Sequence, residues 1–405
     1  MMMPDELSPK LRFPEFRSHA PWEAELGGKL FDQISDKSHN SDLPVLAITQ
    51  EHGAIPRKLI DYHVSVSTSS LAGYKVVKPD DFIISLRSFQ GGIEVSRYTG
   101  ICSPAYVILR SSHPNVVEFF AHFFKSPEFI RLLNVNVEGL RDGKMISYKQ
   151  FSDIPIPLPS RAEQKKVADC IEAIKDVISA ENQKLIALKD HKAGLMQRLF
   201  PPLAEGAISL NISESATFKH WIETSIGSHI LEVQEKSEIQ DQYPVLTSSR
   251  GGLVRQDEYF EESRLSKRNN IGFNILPPDC ITYRSRSDDD FYFFNENTLG
   301  ITGIVSQYYP VFKISGGNTK FFLFLLERYA RYIGVHGVGN AQRVLSLNAL
   351  RSVSLPIPDS ETQDYVAECL VSAERQIQVQ SRKIDDLECH KLGLVQQLFP
   401  RQAFS

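Results

Sequence analysis

Two arginines sit at matching places in the chain. Arg87 lies in "YKVVKPDDFIISLRSFQGG" (74–92) and Arg286 in "FNILPPDCITYRSRSDDDFYFF" (273–294). Both are β-like stretches in which basic and aromatic residues are interleaved. Lys144 and Arg343 form a second matched pair, each in a loop ahead of a proline-rich joint. Arginine can fork onto guanine O6 and N7, and either basic side chain can hold a phosphate, so this pattern points to nucleic-acid contact. Lys75, Arg97, Arg141, Arg250, Arg255 and Arg284 complete the set of candidate DNA-binding residues. For any one of them the ordinary alternative is surface charge, or a salt bridge to a neighbour such as Asp80 or Asp279. Recurrence in both halves of the chain favours DNA.

Catalytic patterns are missing. "GLRDGKM" (139–145) is one residue short of a phosphate-binding loop and carries Met145 where a hydroxyl would bind magnesium. The Pro-Pro pairs in "LPPD" and "FPPL" do not make a methyltransferase loop, and no glycine-rich cofactor turn follows a strand. Asp142 and Lys144 are close enough for a nuclease site, but no upstream carboxylate stands at a persuasive spacing. "SDDDF" (287–291) could bind a cation, although a solvated loop is the commoner meaning of such a run. The expectation is a non-enzyme with no cofactor and no metal site.

The bulk composition agrees. The chain has 405 residues, 42% hydrophobic and 23% charged, with a net charge of −4. It is therefore no polycation, and a nucleic-acid role needs local basic faces. Five cysteines without a CxxC argue against a disulfide framework or a zinc ribbon and favour a reducing cytoplasm. The N-terminus lacks the apolar core of a signal peptide, and no run approaches the ~20 apolar residues of a membrane span.

The elements that must position these side chains are written twice. "GLMQRLFP" (194–201) returns as "GLVQQLFP" (393–400), 199 residues later. At that offset 157–201 overlays 356–400 without a gap, and 17 of the 45 positions are identical. About three would match by chance at ordinary composition. Further upstream Trp22 falls on Trp221, Gly28 on Gly227, Asp80 on Asp279 and Arg87 on Arg286. Each copy opens with a mixed part, 1–155 or 204–354, of short β-like runs followed by a helical stretch. A proline-rich joint comes next, "IPIPLP" or "LPIP", which should be extended and stiff.

A long helix closes each copy. Its apolar seam steps alternately four and three. In the first copy the seam is Val167, Ile171, Ile174, Ile178, Leu185, Leu188, Leu195 and Leu199. In the second it is Val366, Leu370, Ile377, Ile384, Leu387, Leu394 and Leu398. Glu181 and Gln380 interrupt both seams at the same place. Counting Lys and Arg against Asp and Glu gives +2 for 160–200 and −4 for 359–400, which favours pairing of one helix with the other. Both directions are sterically possible; a two-fold pseudo-dimer prefers an antiparallel pair. The helix ends, Leu199–Phe200 and Leu398–Phe399, would then be apolar tips open to a partner.

Over nearly its full length the chain resembles the specificity subunits of type I restriction–modification systems. The resemblance is carried by "PKLRFPEF" (9–16) before Trp22, by "LAGYKVVKPDDFIISLRSFQGG" (71–92), by "SPAYVIL" (103–109), by "IPIPLPSRAEQ" with "LPIPDSETQ", and by the two helix ends. It implies an α+β fold with two target recognition domains, 1–155 and 204–354. Two conserved helical regions, 156–203 and 355–405, would follow them and pair as an antiparallel coiled coil. It also implies double-stranded DNA read as a split site, and two methyltransferase subunits plus restriction subunits as partners that do the chemistry. A stand-alone DNA nuclease or modification enzyme, and a coiled-coil scaffold without a DNA role, are the alternatives.

Overall fold

The computed structural model describes residues 7–40, 42–60, 71–112, 116–135, 146–202, 221–259, 269–340 and 342–400. It is an α+β protein and forms two compact units, Met1–Asn182 with Arg382–Ser405, and Gln183–Ser381. Both boundaries fall inside a long helix, so each unit holds the first part of one helix and the last part of the other. Among the described residues no helix is long and apolar enough to cross a membrane.

The units share one sheet plan. The first contains a four-stranded sheet in the order Phe31–Ile34, Val107–Ser111, Phe82–Ile84 and Glu94–Val95. The second contains Ile230–Glu232, Val311–Ile314, Ile281–Tyr283 and Phe294–Glu296 in the same order. Phe82–Ile84 and Ile281–Tyr283 are wholly buried, as interior strands with a covered face on each side must be. The turn before each of these strands needs a left-handed residue, supplied by Asp80 (φ 71°) and Asp279 (φ 61°). Aspartate tolerates that region better than most side chains.

The proline joints are strands rather than free spacers. Pro155–Leu158 pairs antiparallel with Glu23–Leu26, and Ser354–Ile357 with Ile222–Ser225. Each is a two-stranded ribbon, where a missing proline N–H leaves no gap in a wider ladder. The glutamine that follows both joints now has a reason. Gln164 Nε2 donates to Pro159 O (2.9 Å) while its Oε1 accepts from Val116 N (3.2 Å). Gln363 Nε2 donates to Pro358 O (3.0 Å) and its Oε1 accepts from Asn318 N (3.1 Å). One buried amide thus ties the joint, the start of the long helix and the preceding helical layer together in each unit.

The long helices run Arg161–Leu199 and Ser360–Leu398. Every seam position expected from the heptad is buried or half-buried. In the first unit Val167 and Ile171 share a core with Leu394 and Leu398, and Lys383 Nζ donates to Glu181 Oε1 at 2.6 Å. In the second unit Leu195 and Leu199 share a core with Val366 and Leu370, and Lys192 Nζ donates to Glu374 Oε1 at 2.9 Å.

The helix ends correct an expectation. They are not open tips. Phe399 has no exposed surface and packs on Phe119 (5.5 Å between centroids) and Phe123 (5.4 Å) in the first unit. Phe200 is equally enclosed in the second, against Trp221 (5.7 Å), Phe321 (5.7 Å) and Tyr329 (6.2 Å). The reason is area: an aromatic ring at the end of a helix is stabilised far more by a dense aromatic core than by water.

Candidate nucleic-acid interface

Each unit has a cleft at the same place. In the first it lies between the hairpin Leu46–Thr49 with Gly53–Pro56 and the chain leaving the buried strand Phe82–Ile84. Thr49, Gln50, Arg57, Arg87 and Glu94 line it. In the second, the hairpin Leu246–Ser249 with Gly252–Arg255 and the chain after Ile281–Tyr283 make the walls. Ser248, Ser249, Arg250, Arg284 and Arg286 line that one. Thr49 and Ser248, Gln50 and Ser249, and Arg87 and Arg286 are equivalent under the 199-residue offset. In both, an interior strand ends and an exposed arginine follows at the rim, but the chain around it differs. Arg87 precedes the short helix Ser88–Gly91, where Ser88 Oγ accepts from Ser85 N. Arg286 opens the strand Arg286–Ser287 just after Ser285, whose Oγ donates to Tyr308 O.

The candidate residues do not all belong to this rim. Arg87, Arg284 and Arg286 do, and are exposed. Arg286 lies over the Tyr308 ring at 5.1 Å. Arg250 also lines the second cleft, ion-paired to Asp289 and 5.3 Å over the Phe293 ring. Arg343 pairs with Asp290 (3.5 Å), Arg255 with Asp257 (2.8 Å), and Arg97 with Asp80 (2.7 Å) and Glu118 (3.4 Å). Lys75 leaves the set. It is only 9% exposed, and its ammonium donates to Tyr106 O at 2.6 Å inside the first unit. A strand whose three residues are all buried turns even a lysine inward. Arg141 and Lys144, with Asp142, lie outside the described residues.

The run "SDDDF" has a use other than holding a cation. Asp288 accepts from Gln342 (2.9 Å), Asp289 accepts from Ser287 Oγ (2.8 Å) and pairs with Arg250, and Asp290 faces Arg343. The Ser287 hydroxyl, with Arg250 nearby, holds the Asp289 carboxyl below its ordinary range. Among the described residues no three of His, Cys, Asp or Glu gather as metal ligands. The acidic turn instead braces basic and polar side chains around the second cleft.

Glu94 is the buried carboxyl of the first cleft. Its side chain is 3% exposed and meets Lys125 Nζ at 2.6 Å. Burial pushes the carboxyl up to about 7, against the opposing pull of Lys125. In the folded state Glu94 therefore holds a proton that the unfolded chain releases near pH 4.5. Its contribution to stability is present below that pH and is lost as pH rises through 7. The full shift corresponds to about 3 kcal/mol. Glu94→Gln should flatten the fall in stability between pH 5 and 8, measured as urea midpoints across pH; an unchanged profile would place the ionisation elsewhere.

Comparison with known proteins bears on this geometry. Residues 24–190 match the family model for the type I restriction modification DNA specificity domain. The type I restriction enzyme MjaVIII specificity subunit of Methanocaldococcus jannaschii is 23% identical over 272 residues, 60% of this chain and 60% of that protein. The putative MjaX specificity subunit of the same organism is 27% identical over 128 residues, 31% of this chain and 29% of that one. The type I restriction–modification system S subunit of M. genitalium superposes with a TM-score of 0.52 at 13% identity, covering 98% of this chain and 100% of that one. Residues 24–190 are thus similar to the type I restriction modification DNA specificity domain, and nearly the whole chain shares the fold of a solved specificity subunit.

A further solved chain, from work on complex assembly and conformational transition of the type I R-M system, superposes with a TM-score of 0.56 at 13% identity, over 94% of this chain and 98% of that one. At such identities these two structures speak for the fold alone. The match to MjaVIII spans 60% of that subunit's length. Within this specificity-subunit fold, sequence reasoning missed Glu94, Tyr308 and the bracing role of 288–290. The only signal in the sequence was the run of three aspartates. Its pairing depends on chain segments about 40 to 55 residues away: |i−j| is 39 for Arg250 with Asp289 and 54 for Gln342 with Asp288.

Proposed function

We propose that the chain is the non-catalytic, DNA-reading subunit of a type I restriction–modification complex. The observation that carries this reading is the duplicated cleft with Arg87 and Arg286 at equivalent rims. Residues 1–155 and 204–354 act as the two target recognition domains, each reading one half of a split site in double-stranded DNA. Residues 156–203 and 355–405 supply the spacer helices. Their antiparallel pairing as a coiled coil is supported by the ion pairs Glu181–Lys383 and Lys192–Glu374, in which the residue number rises along one helix as it falls along the other. Methyltransferase subunits, two by symmetry, and restriction subunits provide the chemistry, including the use of S-adenosylmethionine. A net charge of −4 is compatible with this role because such partners carry much of the phosphate contact.

The test is co-expression with the methyltransferase encoded beside it, in a host free of other adenine methylation, followed by mapping of methylated adenines. One split motif that disappears when the chain is omitted is the expected result. A stable complex that methylates nothing would refute the assignment. Four residues inserted near Glu181 add about one turn, roughly 6 Å of helix. The expected outcome is a longer unread spacer between unchanged half-sites. An unaltered spacer would remove the ruler role from the helices.

A further inference from the structure

The loop from the short helix Ala330–Gly334 to the strand Arg343–Val344 presents Val335 and Val338 to solvent, 69% and 75% exposed. No other described large apolar side chain is as open. A lone exposed valine needs no explanation when it rides on a slack loop. This loop is held. Val338 and Val344 exchange both backbone hydrogen bonds, at 3.0 and 2.9 Å. Gly339 sits at φ +133°, and a Cβ there would lie 2.2 Å from Gln342 O, so only glycine closes the turn. Gly337 packs over Tyr292, whose hydroxyl would be 2.4 Å from an added Cβ. Asp288 and Asp290 secure Gln342 and Arg343 from the other side. Ordering of this kind costs conformational entropy and is what a preorganised contact uses to bind.

The surroundings identify the partner. Arg286 is the cross-strand neighbour of Val344 and stacks on Tyr308, itself 57% exposed. An ordered apolar tip one strand away from an exposed guanidinium suits a ligand that sets a small apolar knob near negative charge. The thymine C5-methyl group in the major groove, flanked by phosphates, is that feature.

We propose that Val338 is an apolar base contact that reads a thymine methyl group in the half-site bound by the second unit, with Arg286 one strand away across Val344. The inference rests on the DNA-reading function proposed above. Its novelty is the readout of a methyl group by a braced valine tip, where the basic rim alone would give hydrogen bonds and charge.

The experiment uses the complex of the full chain with its methyltransferase, as wild type and as Val338→Ser. Binding is measured on duplexes of the mapped site in which each thymine of either half-site is replaced singly by deoxyuridine, which lacks only the methyl. At one position in one half-site, loss of the methyl should weaken the wild type about fourfold. Val338→Ser should bind the thymine duplex weaker by the same factor and be indifferent to the replacement. Equal thymine-to-uracil ratios for both proteins at every position would overturn the proposal. So would a methyl-sensitive half-site that responds to Arg87→Ala instead of Arg286→Ala, or a DNA bend lost in Val338→Ser without any methyl effect, which would make the valine a wedge. Absence of salt-dependent DNA binding by the wild-type complex would refute the underlying function instead.

Discussion

Phe399→Ala, six residues from the end of the sequence, is expected to destabilise the unit that contains the beginning of it. The ring is fully enclosed by Phe119 and Phe123 within the aromatic core that also holds Phe31, Phe82, Phe124 and Phe129. Removing a buried phenyl group from such a core costs about 3–5 kcal/mol, the transfer term plus the cavity left behind. Phe399→Leu keeps most of the volume and should cost less than about 1.5 kcal/mol. Phe200→Ala should act on the second unit in the same way, through Trp221, Phe321 and Tyr329. Urea unfolding gives the size of each effect. Limited proteolysis followed by mass mapping gives its place: new cuts within 1–155 for Phe399→Ala and within 221–354 for Phe200→Ala. A loss under 1 kcal/mol, or cuts confined to the helix ends, would mean that the two phenylalanines are ornaments on the helices and not their anchors.

Arg286→Ala is expected to weaken recognition of one half-site by about 1–3 kcal/mol, roughly 5- to 150-fold, and to relax it at one base position. The guanidinium is exposed, rests on Tyr308, and has no carboxylate partner among the described residues. It is therefore free to fork onto a base without first breaking an ion pair. Arg87→Ala should do the same to the other half-site. Lysine should not rescue either position, because a point charge cannot replace a bidentate fork. Arg255, tied to Asp257 through two contacts of 3.1 and 2.8 Å, should matter much less. Methylation mapping of the variants separates the possibilities. Uniform weakening across all bases, with a salt slope lowered by about one, would make Arg286 a phosphate contact.

The sequence by itself determined the duplication, the heptad seams and the two arginines at the cleft rims. Each of these is either local or repeated. A seam is legible because helical geometry brings residues three and four apart onto one face whatever lies opposite. The matched Arg87 and Arg286 are legible because two copies of one fold place the same residue after the same strand. Gln164 and Gln363 were visible as a repeated letter, although the sequence did not say that each closes a joint.

Only the tertiary structure decided which side chains the rest of the chain would meet. Leu-Phe-Pro at the end of a helix reads as an open tip until the core that receives it is known. Lys75 reads as a basic contact until its strand is found buried on both faces, with Tyr106 O waiting for the ammonium. The three aspartates of 288–290 read as a solvated loop until Arg250, Gln342 and Arg343 arrive from segments far along the chain. Glu94 carried no signal, because a raised carboxyl pKa comes from desolvation, and desolvation is made by neighbours in space. Periodicity and repetition are written along the chain; burial and charge pairing are settled only when distant segments close on one another.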